Sequence, residues 1–261
     1  MPIQSFVTDV ARAVAFLSRL PVPARFFEGD DGRLSRTVRA FPAAGAVIAL
    51  PAALLLALLL LLGGARLLAA LMALLLSTLI AGGLHEDGLA DAADGLGGGR
   101  DRERALAIMK DSRTGSYGVL ALIFSLGLRA AALSSLAVAL GPFGTGLALI
   151  AAASLSRATM LLHWRALPPA RTDGVAAGVG LPERSAVRLA LGSVVLLAIL
   201  PMLIAGVSPA ALFMAIALGF LVEKPFTRLC RRRIGGHTGD TIGATQQLSE
   251  IAFLATLALA V

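Results

Sequence analysis

The chain has 261 residues, of which 57% are hydrophobic and only 15% are charged, and its mean hydropathy is +0.84. Soluble domains are about 45–50% apolar and about 25% charged, so the composition argues against a soluble helical bundle, which would carry charges along every helix. The net charge of +7 is explained by basic loops of a membrane protein rather than by nucleic-acid binding. The single cysteine, Cys230, excludes a disulfide framework within the chain.

The N-terminal stretch VARAVAFLSRLPVP is predicted to form an amphipathic helix at the membrane interface. Its apolar core is too short for a secretory signal and is interrupted by Arg12 and Arg19. Pro21 and Pro23 are expected to end the helix.

Runs of Leu and Ala near the length that crosses about 30 Å of hydrocarbon predict an all-α, polytopic membrane bundle of about six or seven transmembrane helices. We treat residues 1–261 as a single membrane-embedded domain, with a catalytic loop at about residues 83–116 and a second polar loop at about residues 223–244. The spans are predicted at residues 42–62, 66–84, 117–139, 144–163, 186–205, 209–222 and 244–261.

The basic residues predict the orientation in the membrane. The short connections at residues 63–66, 140–146 and 206–209 contain one basic residue between them, Arg66, whereas the N-terminal segment and the long loops hold nearly all the others. The N-terminus and the long loops are therefore expected in the cytoplasm, with the C-terminus on the opposite side if there are seven spans. The expected location is the cytoplasmic (inner) membrane.

An acidic cluster, HEDGLADAADGLGGG, follows the second predicted span. In a continuous helix Asp87, Asp91 and Asp94 would share one face at positions i, i+4 and i+7. Three converging carboxylates repel one another unless protons or a cation lie between them, and oxygen ligands favour Mg²⁺ or Mn²⁺. The alternative is a solvated, acidic helix end. HEDGL lacks the second histidine of a zinc-protease motif, and GLGGG is neither a P-loop nor preceded by a strand.

A glycine-rich and basic segment comes next. Gly97 and Gly98, with their glycine neighbours, would free the backbone to present N–H groups to an anion. Arg100, Lys110 and Arg113 could hold phosphate oxygens, although a flexible loop with ordinary cytoplasmic charges is the simpler reading of this segment alone. Together with the carboxylates, these residues predict a metal–diphosphate site suited to phosphoryl transfer.

A second polar group lies near the end of the chain, in RRRIGGHTGDTIGATQQLSE. Glu250 falls inside the last predicted span, where Arg129 and Arg157 are either its ion-pair partners or ligands of substrate phosphates. An ion-coupled carrier also places carboxylates near broken helices, but this acidic cluster lies at one end of a span and no inverted repeat is visible. A scaffold within a biosynthetic complex is a third alternative.

Three segments resemble the signatures of the adenosylcobinamide-GDP ribazoletransferase family: GGLHEDGLADAADG, MKDSRTGSYG and GGHTGDTIGA. FLSRLPVPARF and RAFPAAG near the N-terminus resemble that family as well, so the likeness runs in order from about residue 10 to the end. One departure is Glu86, where the family's pattern leads us to expect an apolar residue.

The resemblance implies a Mg²⁺-dependent enzyme of the cytoplasmic membrane. It would join adenosylcobinamide-GDP to α-ribazole, or to α-ribazole 5′-phosphate, giving adenosylcobalamin or its 5′-phosphate and GMP. The expected partners are these small molecules and the lipid bilayer, without nucleic acid; a homo-oligomer or association with other cobalamin-biosynthesis enzymes stays open.

Roles for individual residues follow as a hypothesis. Asp87, Asp91 and Asp94 would hold one or two Mg²⁺ ions, and either one of them or His85 would accept the proton of the ribazole hydroxyl. The remaining residues are expected to bind substrate, with the last three closing the site from the second polar loop: Gly97, Gly98, Arg100, Lys110, Asp111, Ser112, Arg113, Tyr117, Arg157, His237, Thr238 and Asp240.

Overall fold

The structure, a computed structural model, describes residues 3–29, 32–172 and 178–261. These residues are mainly helical, and β-type pairing among them is limited to an isolated bridge between Pro169 and His237. The α-helices are α1 (Ile3–Leu17), α2 (Phe41–Leu61), α3 (Arg66–Ala81), α4 (Leu84–Gly98), α5 (Arg102–Ile108), α6 (Ser116–Ala139), α7 (Gly141–Ala166), α8 (Arg184–Val194), α9 (Leu200–Ile204), α10 (Pro209–Leu221), α11 (Glu223–Arg233) and α12 (Gly239–Ala260).

The multi-pass helical membrane architecture is confirmed. Five helical segments of the described chain are long and apolar enough to cross a bilayer: Thr37–Leu61, Ser116–Ala139, Gly141–Ala166, Arg184–Ile204 and Pro209–Arg233. α3 and α4 together also meet this test, but the pair is bent by 90° and would make a sixth, broken crossing. α4 carries four carboxylates, so we assign the apolar part of that crossing to α3 and place α4 outside the spans.

Of the six or seven predicted spans, the described chain supports five, or six with the bent pair. The predicted last span, residues 244–261, lies in α12, which is not among the segments that are apolar enough to cross. Gln246, Gln247 and Glu250 interrupt its apolar sequence and are at most 5% exposed. α12 therefore packs inside the bundle, against α4, α6, α7 and α10, instead of facing lipid.

α7 is the other central helix, and small residues allow its neighbour to approach closely. A Cβ atom added to Gly45 of α2 would lie 2.6 Å from the carbonyl oxygen of Ala153, and one added to Gly146 of α7 would lie 3.1 Å from that of Ala53. Close backbone packing at small residues is the usual way in which membrane helices associate. Large apolar side chains such as Leu54 point outward.

The predicted N-terminal helix is present as α1, which ends at Leu17, before the prolines. It buries Ala13, Val14 and Leu17 in a cluster shared with α2 and α7. An ion pair between Asp9 and Arg39 ties α1 to the turn that precedes α2.

A buried polar network joins α4, α6 and α12. Arg129 donates to Glu250 at 3.0 Å and lies 3.4 Å from Glu86. Gln247 donates to Glu86 at 3.1 Å, and Gln246 donates to Glu250 at 2.6 Å. The structure thus pairs Glu250 with Arg129, and it gives Glu86 a partner on α6.

Replacing Arg129 with methionine should destabilise the fold strongly, because Glu86 and Glu250 would lose their buried counter-ion. We expect a loss of about 3–5 kcal/mol in the free energy of unfolding, measured as a lower melting temperature in detergent by circular dichroism. Arg113→Met is the control, since Arg113 has 87% of its side chain exposed and should not change the melting temperature. Equal melting temperatures for both variants would contradict a structural role for the network.

Candidate active site

Two consecutive glycines set the direction of the acidic helix. Gly82 and Gly83 have φ angles of 67° and 68°, a left-handed conformation that other residues adopt at a cost. At Gly82 there is a second constraint, because an added Cβ would lie 2.6 Å from Nε of Arg19. The turn sends α4 away from α3 at 90° and buries His85 at the start of α4.

A cavity of about 540 Å³ lies at this turn. Its wall is formed by the end of α1, the α3–α4 turn, the end of α7 and the start of α12. The polar and charged side chains on the wall are Ser18, Arg19, His85, Asp87, Lys110, Arg171, His237, Thr238 and Asp240. The structure therefore brings the acidic helix and the second polar loop, which are about 150 residues apart in the sequence, to one cavity.

The start of α12 is held rigidly at this wall. Thr238 and Thr241 form a capping box, in which each side chain accepts a hydrogen bond from the backbone N–H of the other. Asp240 accepts hydrogen bonds from Arg171 at 2.8 Å and from Thr238 at 3.1 Å. Gly88 of α4 packs on the backbone of Asp240, where a Cβ atom would come within 2.9 Å of the carbonyl oxygen.

The carboxylates next to the cavity repel one another. Burial and the negative charges of Asp87, Asp240 and Asp94 raise the pKa of Asp91 to about 7. Burial also raises the pKa of Asp240, although Arg171 opposes the shift. A cation bound between these carboxylates would offset the repulsion between their negative charges.

The donor set fits Mg²⁺ bound together with a phosphorylated substrate. In the described residues no group of three His, Cys, Asp or Glu side chains is arranged to hold a metal. Mg²⁺ commonly uses only one or two carboxylates and takes its other ligands from water and substrate phosphates. Asp87 is exposed on the cavity wall, and Asp91 is half-buried one turn further along α4. Both can supply such ligands.

Asp94 has a different environment from the other two aspartates. It is buried, and its two carboxylate oxygens accept hydrogen bonds from the backbone N–H groups of Gly115 at 2.7 Å and Gly118 at 2.9 Å. These donors belong to the start of α6, whose positive dipole end favours an anion. Asp94 therefore fastens α4 to α6, and each oxygen keeps one lone pair for a further ligand.

The neutral imidazole of His237 presents a lone pair. Nδ1 lies 3.0 Å from the carbonyl oxygen of Leu167, so Nδ1 carries the hydrogen and Nε2 is an acceptor. Burial lowers the pKa of His237, which keeps the ring neutral at pH 7. Nε2 has no hydrogen-bond partner, and the same is true of Nε2 of His85.

The glycine run after the carboxylates does not form the open loop that we predicted. α4 continues as a helix to Gly98. A Cβ atom added to Gly97 would lie 3.0 Å from the ring of Tyr117, and one added to Gly99 would lie 2.6 Å from Ala105. In the structure these glycines permit close packing around the end of α4. A contact of Gly97 or Gly98 with substrate stays a prediction.

The predicted substrate-binding residues divide into two groups. Lys110, His237, Thr238 and Asp240 line the cavity. The others lie elsewhere: Arg100, Ser112, Arg113 and Tyr117 are exposed, Asp111 forms an ion pair with Arg113 at 2.6 Å, and Arg157 is buried in α7, where it donates to Ala153 at 3.1 Å.

Sequence reasoning missed part of the wall. Arg19, Arg171, Phe16, Met160 and Trp164 all line the cavity. Phe16 and Arg19 lie in the FLSRLPVPARF segment, and Trp164 is the only tryptophan of the chain. The FLSRLPVPARF segment and the single tryptophan could have drawn attention to these residues, but their positions in the sequence do not connect them with the acidic helix.

The fold and this cavity define a class, a multi-pass helical membrane protein whose polar site combines carboxylates, basic side chains and neutral imidazoles. The sequence pattern of the cobalamin-5-phosphate synthase family matches residues 9–258. The chain belongs to this family, so the resemblance drawn from the motifs is confirmed.

Relatives match the whole length of the chain. It is 54% identical over 259 residues to the adenosylcobinamide-GDP ribazoletransferases of Sinorhizobium medicae and Rhizobium meliloti, which covers 99% of this chain and 99% of each relative. It is 52% identical over 264 residues to the protein of that name in Allorhizobium ampelinum, with complete coverage of both. No solved structure matches the chain significantly.

Asp94→Asn should lower the stability of the protein. An asparagine side chain offers one carbonyl oxygen, so one of the N–H groups of Gly115 and Gly118 would lose its acceptor. We expect a loss of about 1–3 kcal/mol, measured by thermal unfolding in detergent without added metal. An unchanged melting temperature would show that the carboxylate does not fasten α4 to α6.

Asp91→Asn should have the opposite effect on stability in EDTA. The pKa of Asp91 is about 7 in the folded protein against an ordinary value of 3.8, so the ionised carboxylate opposes folding, with the full effect above about pH 7. The variant should melt at a higher temperature than the wild type at about pH 8, and the difference should vanish as the pH approaches about 4. A variant that melts lower at about pH 8 would contradict the repulsion.

Proposed function

We propose that the protein is an adenosylcobinamide-GDP ribazoletransferase. It transfers the adenosylcobinamide phosphate group to α-ribazole or α-ribazole 5′-phosphate, and it releases adenosylcobalamin or its 5′-phosphate together with GMP. The observation that carries the proposal is that the acidic helix and the second polar loop line the same cavity, the first through His85 and Asp87 and the second through His237 and Asp240. Full-length relatives that bear this name support it.

In the reaction, α-ribazole replaces GMP on the phosphate that carries the cobinamide group. An oxygen of the ribazole ribose bonds to the phosphorus that carries the cobinamide group, and the bond from this phosphorus to the bridging oxygen of the diphosphate breaks. GMP leaves with that oxygen, and the proton of the attacking hydroxyl passes to a base. The protein must therefore hold a charged diphosphate, position an alcohol and accept a proton.

Asp87 and Asp91 are the residues that would hold Mg²⁺ directly. The ion would neutralise charge on the diphosphate and on the departing GMP. Asp94 contributes its negative charge to this region, since it raises the pKa of Asp91, while it holds α4 against α6.

The proton of the attacking hydroxyl has a suitable acceptor in His237. Its Nε2 atom bears a lone pair on a neutral ring because Nδ1 donates to Leu167. His85 and the aspartates were the predicted bases, and His85 also lines the cavity with an unpartnered Nε2. His237 has the advantage that its hydrogen bond defines which nitrogen is the base.

Positive charge for the phosphates comes from Arg19, Lys110 and Arg171, which line the same cavity. Arg171 is held by its ion pair with Asp240 at 2.8 Å. Arg100 and Arg113 are exposed and do not line the cavity, so they would contact only the part of a substrate that extends out of the cavity.

We place the enzyme in the cytoplasmic (inner) membrane with this cavity on the cytoplasmic side. The support is the concentration of basic residues in the N-terminal segment and in the long loops, which flank the cavity. Both water-soluble substrates would then reach the site without crossing the bilayer.

The reaction itself is the test. Detergent-purified protein supplied with adenosylcobinamide-GDP, α-ribazole and Mg²⁺ should form adenosylcobalamin and GMP in equal amounts, and EDTA should stop both. Asp91→Asn should reduce turnover by about a hundredfold or more and still insert in the membrane. The control Glu103→Gln, which alters an exposed carboxylate, should keep the turnover of the wild type.

Two results would count against this account. Near-normal turnover by Asp91→Asn would remove Asp91 from the proposed metal site. Folded wild-type protein that forms neither product would overturn the transferase, and ion uptake in vesicles would then test the carrier alternative.

A further inference from the structure

Three buried polar atoms without partners belong to residues that line the cavity. They are Nε2 of His85, Nε2 of His237 and Nε1 of Trp164, and the three residues are only 2%, 1% and 1% exposed. Buried polar atoms in proteins are nearly always hydrogen-bonded, so each exception calls for an explanation. Three on one cavity wall point to a ligand that supplies the missing partners.

Two of these atoms have opposite hydrogen-bonding character. The indole Nε1 of Trp164 can only donate, whereas Nε2 of His237 accepts because Nδ1 donates to Leu167. The two rings are close, with centroids 6.5 Å apart in an edge-on arrangement. A ligand that pairs with both atoms therefore needs an acceptor for Trp164 and a donor for His237.

The surface around Trp164 is apolar. Phe16, Leu17, Met160 and Ile242 share the wall with it. The volume of about 540 Å³ lies in the range of small-ligand pockets, so a nucleoside fits into it. The ligand in this part of the site is thus a small molecule with an apolar, ring-shaped portion.

We infer that the apolar part of this cavity is the subsite for the acceptor nucleoside, with the base of α-ribazole on the Trp164 side and its ribose on the His237 side. The base is an apolar fused bicycle with one ring-nitrogen lone pair and no N–H donor, which matches a wall with one donor. A ribose hydroxyl donates to Nε2 of His237. A guanine base would leave several polar edge atoms unsatisfied against this apolar wall.

This inference rests on the proposed transferase and adds specificity-determining residues to it. Trp164, Met160 and Phe16 select the base, and they touch neither the diphosphate nor its metal. The same wall carries Asp87 and Asp240, so a ribose held by His237 lies beside the carboxylates. Arg19 and Lys110 also line the cavity and supply positive charge for the 5′-phosphate of α-ribazole 5′-phosphate.

Steady-state kinetics with each substrate varied in turn test the subsite. Trp164→Phe keeps an aromatic ring and removes the N–H donor, so KM for α-ribazole should rise by about tenfold, the value of one hydrogen bond, with KM for adenosylcobinamide-GDP unchanged. Met160→Phe should raise the same KM by filling the cavity. Its matched control is Met214→Phe on α10, where the side chain is 49% exposed and both KM values should stay as in the wild type.

The outcomes separate this inference from the proposed function. A rise in KM for adenosylcobinamide-GDP with KM for α-ribazole unchanged would assign the apolar part of the cavity to the donor. No change in either KM would show that this part holds neither substrate. Each result overturns the subsite and leaves the transferase intact. If the wild type forms no product, the transferase fails. Equilibrium dialysis with radiolabelled α-ribazole then decides the subsite, which is overturned if the wild type binds no more tightly than Met160→Phe.

Discussion

The right-angle turn at Gly82 and Gly83 is the constraint on which the polar centre depends. It joins an apolar helix of 16 residues directly to a helix with four carboxylates, without a loop that would let the two parts separate. Because both glycines have positive φ angles, the direction of α4 is set by the backbone and not by a contact that could be exchanged. Each carboxylate then faces a different surrounding.

Those surroundings explain how four acidic residues coexist in a short helix. Glu86 points into the bundle and meets Arg129, whereas Asp94 meets the start of α6. Asp87 faces the cavity, and Asp91 lies between like charges. Asp94 is thus satisfied by the protein and Glu86 is paired through one of its two oxygens, and the other two carboxylates form the part of the helix that a cation and a phosphate can complete.

α12 is the polar counterpart of α4. Gln247 donates to Glu86, and Glu250 accepts from Arg129, the ion-pair partner of Glu86. This helix is therefore retained in the interior by hydrogen bonds that lipid could not replace. Its first turn carries Asp240 to Gly88, and the same packing therefore holds the fold together and assembles the cavity. Charge balance is kept by arginines, since Arg129 and Arg157 both lie within electrostatic range of Glu86 and Glu250.

The cavity unites two kinds of surface that a transfer between a diphosphate and an alcohol requires. One part is charged, with Asp87, Asp240 and Arg171, and the other is apolar and aromatic, with Phe16 and Trp164. A neutral histidine, His237, lies in edge-on contact with Trp164. An alcohol bound through an apolar base would in this way be delivered to the charged part of the site.

The sequence by itself determined the membrane class, the family and the acidic and histidine-containing motifs, because these depend on composition and on residues close together in the chain. It also predicted a buried Glu250 in need of a partner. The predicted span at residues 244–261 is not among the segments apolar enough to cross, because Gln246, Gln247 and Glu250 lower the hydropathy of α12. That these polar residues are buried against other helices is visible only in the packing.

Only the tertiary structure decided which distant residues meet. Arg19, Trp164 and Arg171 join the cavity through the packing of α1, α7 and the segment after it against the α3–α4 turn, and no local pattern records such contacts. The glycines after Asp94 led us to predict a backbone that approaches an anion, but glycine permits close packing as well as open turns. The neighbours Tyr117 and Ala105, which lie on other elements, pack closely on Gly97 and Gly99, and such contacts between distant residues are visible only in the tertiary structure.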